Sequence, residues 1–174
     1  EEAFPGDVIG LYDSGNFKIG DSVTEGEELH FKGIPSFSPE QFRYVNNADP
    51  LKSKQLNKGL EQLMDEGVAQ LFTREIDGRK IIGTVGALQF DVLQYRLRDE
   101  YQTETELEMM PWTALRWLDP TLDSDKVSGL YLPGGAVLAE DNLQRWVVLF
   151  SSDWSLQYFL EKNPSVQMQD TPFR

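Results

Sequence analysis

The chain has 174 residues, 40% hydrophobic and 26% charged, ordinary values for a globular protein of one or two small domains. It has no cysteine, which excludes disulfides, zinc fingers and thiol nucleophiles, and no apolar run approaches the roughly 18 to 20 residues of a membrane span. A formal net charge of −13 makes the chain a poor general binder of nucleic-acid phosphate, which needs concentrated Lys and Arg, so any RNA contact must be local.

The chain opens on Glu1-Glu2-Ala3-Phe4-Pro5-Gly6, without a signal peptide or an initiator Met, and reads as a piece of a longer protein. Residues 1–31 suggest short strands and turns. Asp7 to Leu11 is expected to be a strand, Asp13 to Asn16 a turn, and Phe17-Lys18-Ile19 a second strand, with turns again at Gly20-Asp21 and Glu25-Gly26-Glu27. The segment is too short to bury a core of its own.

Residues 32–110 carry a clearer pattern. Phe37 to Val45 suits a strand. Asp49-Pro50 then opens a helix, with Asp49 as its cap and an apolar face of Leu56, Leu60, Leu63 and Met64. Gly67 marks its stop. Val68 to Ile76 and Lys80 to Val85 read as a hairpin turning at Asp77-Gly78. Gly86 precedes a helix over Leu88 to Tyr101, with Phe90, Leu93 and Leu97 inward, and Thr103 to Met109 alternates as a strand. The order β-α-β-β-α-β is the ferredoxin-like split motif. Leu56, Leu60, Leu63, Phe90, Leu93 and Leu97 should share one core. Gly86, between strand and helix, is expected in or beside a backbone geometry that disfavours a side chain.

Residues 111–174 begin with an apolar segment, Ala114 to Leu118. A polar stretch with loops or a short helix spans Asp119 to Gly135, followed by two strand-like runs meeting near Asp141-Asn142. Asp153 is placed as the cap of a helix over Trp154 to Glu161, and Val166 to Met168 as a last edge strand. No repeat at a fixed period is visible. The fold class is therefore α+β: strands over 1–31, a ferredoxin-like unit over 32–110 and a smaller α/β unit over 111–174.

Catalytic chemistry is scarce. His30 is the one histidine, with no Cys or second His beside it, and suits a surface or structural role. Glu104, Glu106 and Glu108 would share one strand face, most simply a solvated one. Gly10 to Gly15 has the glycine spacing of a phosphate-binding loop, but Asn16-Phe17 follow where Lys and Ser or Thr are needed. Asn57-Lys58 is followed by Gly59-Leu60, with no Asp to read a guanine. No catalytic, metal or cofactor residue is assigned. Arg43, Lys52, Lys54 and Lys58 form the most basic stretch, and a solvated helix face accounts for it without a partner.

Several stretches resemble the translational GTPase family. Pro5-Gly6-Asp7-Val8-Ile9-Gly10-Leu11 and Ile19-Gly20-Asp21-Ser22 are similar to the closing strands of that family's β-barrel second domain. Phe31-Lys32-Gly33-Ile34-Pro35 and Phe37-Ser38-Pro39-Glu40 resemble the link from the barrel to the third domain in its release-factor 3 branch. So do Asp49 to Lys52, Lys58 to Leu60, and Gly83-Thr84-Val85-Gly86-Ala87-Leu88-Gln89-Phe90. Gly33, Pro35, Gly83, Gly86 and Phe90 mark this signature. The likeness thins after Thr103.

The resemblance implies the end of domain two and all of domain three of a cytoplasmic termination factor. GTP and magnesium would bind in an absent N-terminal domain. Partners would be that domain and the ribosome, through protein and limited rRNA contact at Arg43, Lys52, Lys54 and Lys58, with neither DNA nor membrane. A metabolite-binding or regulatory ferredoxin-like domain is the alternative and would need a concave apolar pocket; a carboxylate enzyme would need an acid of strongly shifted pKa in a cleft.

Overall fold

The computed structural model describes residues 2–12, 16–17, 21–27, 29 and 37–173. The chain divides into two compact units, Glu1–Ile34 and Pro35–Arg174. In the first, the backbone turns at 4–7, where the Asp7 carboxylate accepts from the Phe4 amide at 2.8 Å and Gly6 takes φ +100°. A bend falls at Glu25-Gly26, as expected. The strand expected over 7–11 is not formed: among the described residues no neighbouring segment offers it a ladder, and Val8, Ile9 and Leu11 are exposed. The turn at 13–16 and the strand at 17–19 fall mostly outside the described residues, as do His30, Gly33 and Pro35.

The second unit opens with β1 (Gln41–Asn47). Asp49 accepts from the Leu51 amide at 3.0 Å and caps a 3-10 turn, Pro50–Lys52, that leads into α1 (Ser53–Asp65). The helix ends in a Schellman motif: the Gly67 amide bonds to Met64 and the Val68 amide to Leu63, with Gly67 at φ +73°. The elements β2 (Gln70–Arg74), β3 (Lys80–Thr84), α2 (Leu88–Tyr101) and β4 (Thr105–Met110) complete the first half. All neighbouring strands are antiparallel in the order β4-β1-β3-β2, the ferredoxin-like arrangement.

The second half contains β5 (Ala114–Leu118), α3 (Ser124–Ser128), β6 (Val137–Asp141), β7 (Trp146–Phe150), α4 (Asp153–Lys162) and β8 (Met168–Gln169). The cap of α4 is Ser152, whose hydroxyl accepts from the Ser155 amide, and not Asp153. Ser152 has the extended backbone that a cap requires; Asp153 is already helical. The strand order is β6-β7-β5-β8, so this half repeats the same β-α-β-β-α-β topology. β2 pairs with β6, and the eight strands form one antiparallel sheet whose order reads alike from either end.

Three cores follow from the pleat. Leu56, Leu60, Leu63, Phe90, Leu93 and Leu97 pack together with Ile82 beneath α1 and α2, the grouping their spacing predicts. Val127, Leu156 and Phe159 of α3 and α4 cover Leu138, Val148 and Phe150. The third core lies on the sheet face that carries no helix and joins Phe42, Tyr44, Phe72 and Ile81 of the first half to Leu115, Trp117, Ala139, Val147 and Leu149 of the second. Phe72 and Trp117 sit on strands three spacings apart, roughly 14 Å along a flat sheet, yet their ring centroids are 6.4 Å apart. The sheet is therefore strongly curved, with its bare face inward.

The turn between β3 and α2 does not rest on a glycine. Gly86 has no positive φ and open space where a Cβ would lie. Its turn is held instead by Gln89, whose Oε1 accepts from the Val85 amide at 3.0 Å and the Gly86 amide at 3.1 Å. The crowded signature glycine is Gly83, where a Cβ would stand 2.7 Å from the Pro39 Cβ and 3.1 Å from Phe42 Cε1.

Two stability predictions follow. Leu60 is fully buried, so Leu60→Ala should cost about 2 to 5 kcal/mol in urea denaturation; a loss within about 0.5 kcal/mol would show the face is not core. Gly83→Ala should cost about 1 to 3 kcal/mol, whereas Gly86→Ala should change stability by no more than about 0.5 kcal/mol. The reverse ranking would contradict the assignment of crowding.

Candidate docking surface

The four basic residues singled out by sequence do not form one patch. Arg43 points to the helix side of β1, with its guanidinium 4.3 Å from the centroid of the buried Phe90 ring. Lys52 donates from Nζ to the Gln102 carbonyl at 2.8 Å, where α2 ends in a left-handed residue. A cation at a helix C-terminus is favoured by the helix dipole. Lys54 and Lys58 are exposed and one turn apart on α1, so these two share a face. Glu61 follows three residues on, which makes that face mixed in sign.

Other positive groups are engaged within the fold. Tyr44 Oη accepts from Arg74 at 2.6 Å, and the Arg79 guanidinium lies 3.7 Å from the Tyr44 ring centroid. Arg74 also donates twice to Asp77, at 2.8 and 2.6 Å. The hydrogen bond from Arg74 holds the Asp77 carboxyl below its ordinary range, and Asp77 in turn raises the Arg74 guanidinium. Arg79 donates to Glu108 at 2.8 Å and to Asn46 at 3.0 Å; with Asn46 it lowers the Glu108 carboxyl. Arg96 ties α2 to α1 by bonding both Glu100 and Glu66, which raises its own pKa and lowers that of Glu100.

Among the described residues no group of three or more His, Cys, Asp or Glu is placed to hold an ion. Glu106 and Glu108 lie on one face of β4, opposite Asn46 and Tyr44 in the ladder. Asp141 is buried at the end of β6. It accepts from the Trp117 indole at 3.0 Å, from the Leu143 and Arg145 amides at 2.9 and 3.0 Å, and from the Arg145 side chain at 2.8 Å. It is a turn and core anchor. A polar cleft of ≈ 380 Å³ lies beside α2, walled by Asp91, Gln94, Tyr95, Arg98 and Glu104; its walls are charged and polar, unlike a metabolite pocket.

The feature that sequence reasoning missed is aromatic. Trp154 on α4 is 70% exposed and stacks on Tyr158, with centroids 5.1 Å apart and planes 13° apart. Tyr131 meets Tyr158 edge-on at 5.8 Å, and Lys162 Nζ lies 5.3 Å from the Tyr158 ring centroid. The readable signal was the spacing of Trp154 and Tyr158, i and i+4, on the side of α4 opposite Leu156 and Phe159. α2 likewise carries exposed Leu88, Val92 and Tyr95 away from its buried side.

Residues 31–160 match the family model "Class II release factor RF3, C-terminal domain". Proteins named peptide chain release factor 3 are similar along nearly the whole chain. The one from Trichodesmium erythraeum is 38% identical over 174 residues, 98% of this chain and 32% of its own length. That from Acaryochloris marina is 39% identical over 170 residues, covering 97% and 31%. That from Symbiobacterium thermophilum is 40% identical over 173 residues, covering 98% and 32%. The chain thus spans about a third of the length of these curated relatives. With the match covering most of the chain, it belongs to the family of class II release factor RF3 C-terminal domains.

Proposed function

We propose that this chain is the ribosome-docking and coupling body of a translation-termination GTPase that promotes dissociation of the codon-reading release factors after peptide release. The observation that carries this reading is the match of nearly the whole chain to about a third of the length of proteins named peptide chain release factor 3. Nucleotide chemistry then belongs to the remainder of the protein. GTP and magnesium bind in an N-terminal domain, while this segment binds no cofactor and hydrolyses nothing. The segment Gly10 to Phe17 supports this division, because it lacks the lysine that would meet terminal phosphates.

The partners are the GTPase domain of the same protein and the ribosome, met in the cytoplasm. A charge of −13 and the internal engagement of Arg43, Lys52, Arg74, Arg79 and Arg96 favour docking chiefly on protein, with RNA met at Lys54 and Lys58. A close-packed body built on one sheet suits coupling, since such interiors transmit displacement with little compression.

The test is Lys54→Glu with Lys58→Glu in the full-length factor, scored as release-factor recycling across salt concentrations. The expected result is slower recycling at low salt, a shallower salt dependence and unchanged folding. Unchanged activity and salt response would remove α1 as a docking face. Calorimetry on the chain alone should show no GTP binding; micromolar affinity would contradict the division of labour.

A further inference from the structure

We propose that the exposed aromatic face of α4 binds an Arg- and Lys-rich segment of a protein partner. This deepens the docking reading and rests on it for the setting in which the partner is met.

The fold does not need this face for its core. α4 packs on the sheet through Leu156 and Phe159, while Trp154 projects into solvent. The cluster is nonetheless fixed. Asn163 is buried; its side chain accepts from the Tyr131 amide at 3.0 Å and donates to the Tyr131 carbonyl at 3.0 Å and the Phe159 carbonyl at 2.8 Å. That clip fastens the backbone at Tyr131 to the end of α4 and sets Tyr131 edge-on to Tyr158. Tyr158 in turn backs the Trp154 ring in parallel. A large aromatic held in place before binding loses little freedom on contact, a property of interface anchors.

Charge selects the occupant. Asp153 precedes Trp154 at the start of α4, and Glu161 lies on the same stripe as the two rings, three residues past Tyr158 and seven past Trp154; both acidic residues are exposed. These charges repel RNA phosphate, and a second copy of a chain of −13 is repelled as a whole. A guanidinium or ammonium group gains from both features: the face of an indole attracts cations, and a neighbouring carboxylate pairs with them. Lys162 already sits near the Tyr158 ring, an intramolecular instance of the same contact, and Trp154, stacked on Tyr158, remains 70% exposed to an incoming side chain.

The experiment is fluorescence anisotropy of this chain with a labelled peptide alternating Arg and Gly, its Lys counterpart and an oligouridine RNA. Trp154→Ala should weaken the Arg peptide about tenfold, and Glu161→Lys severalfold, with circular dichroism unchanged. Ile76→Ala removes an apolar side chain that is 78% exposed in the β2–β3 turn and should leave binding as it was. Equal affinity for Trp154→Ala and the unaltered chain would mean that net charge alone holds the peptide, and would overturn the proposal. Trp154-dependent binding of oligouridine in preference to peptide would also overturn it and assign the face to RNA. The titration decides this inference, and recycling by the full-length factor decides the docking reading, so either can fail while the other stands.

Discussion

A split β-α-β-β-α-β sheet covers one face with its two helices and leaves the other bare. Here the bare faces carry Phe42, Tyr44 and Phe72 in one half and Leu115, Trp117 and Val147 in the other, and they cannot remain in water. The β2–β6 ladder alone is short: Phe72 to Arg74 against Ala139 to Asp141. Its hydrogen bonds net roughly 0.5 to 1.5 kcal/mol each. Burying each large apolar side chain contributes about 1.5 to 3 kcal/mol, so the shared core outweighs the ladder. Curvature, the pairing of the two strand edges and the outward placement of all four helices follow from burying these faces together. The Trp117 indole, bonded to Asp141, and Trp112, bonded to the Gly135 carbonyl at 2.9 Å, fix that core in register. At the far side, the Ser38 hydroxyl donates to the Asp170 carbonyl at 2.6 Å, linking the chain before β1 to the chain after β8.

The same economy shapes the surface. Arginines at the β2–β3 hairpin and between α1 and α2 are held by carboxylates or lie on rings inside the unit. Facing outward are many carboxylates, scattered cations such as Lys54, Lys58, Arg98 and Lys126, and the aromatic stack on α4 with Lys162 beside it.

Local chemistry was legible where it acts alone. Spacing placed six helix residues in one core, Asp77-Gly78 marked the hairpin, and Gly67 marked the end of the first helix, while Asp49 and Pro50 open the 3-10 turn that leads into it at Ser53. Legibility ended where distant segments decide. The second half repeats the topology of the first, but α1 has 13 residues and α3 only 5, so no sequence period survives. Gly86 and Gly83 look alike in the sequence; only the packing of Pro39 and Phe42 separates them. Ser152 and Asp153 can both cap a helix, and backbone geometry chose Ser152. Among the candidate site residues, Lys54 and Lys58 kept the exposure that a helix face implies. Arg43 was drawn onto Phe90 by a packing no local pattern encodes.

Burial of a common face should make the two halves, within residues 37–173, one cooperative body. Native-state hydrogen exchange in low urea tests it most directly, comparing amides of β1 and β3 with those of β5 and β7. Both sets should exchange through the same global opening, with one free energy and one dependence on urea. Exchange of β5 and β7 through a separate, lower-energy opening while β1 and β3 stay protected would contradict it, and would make the halves two domains that merely touch.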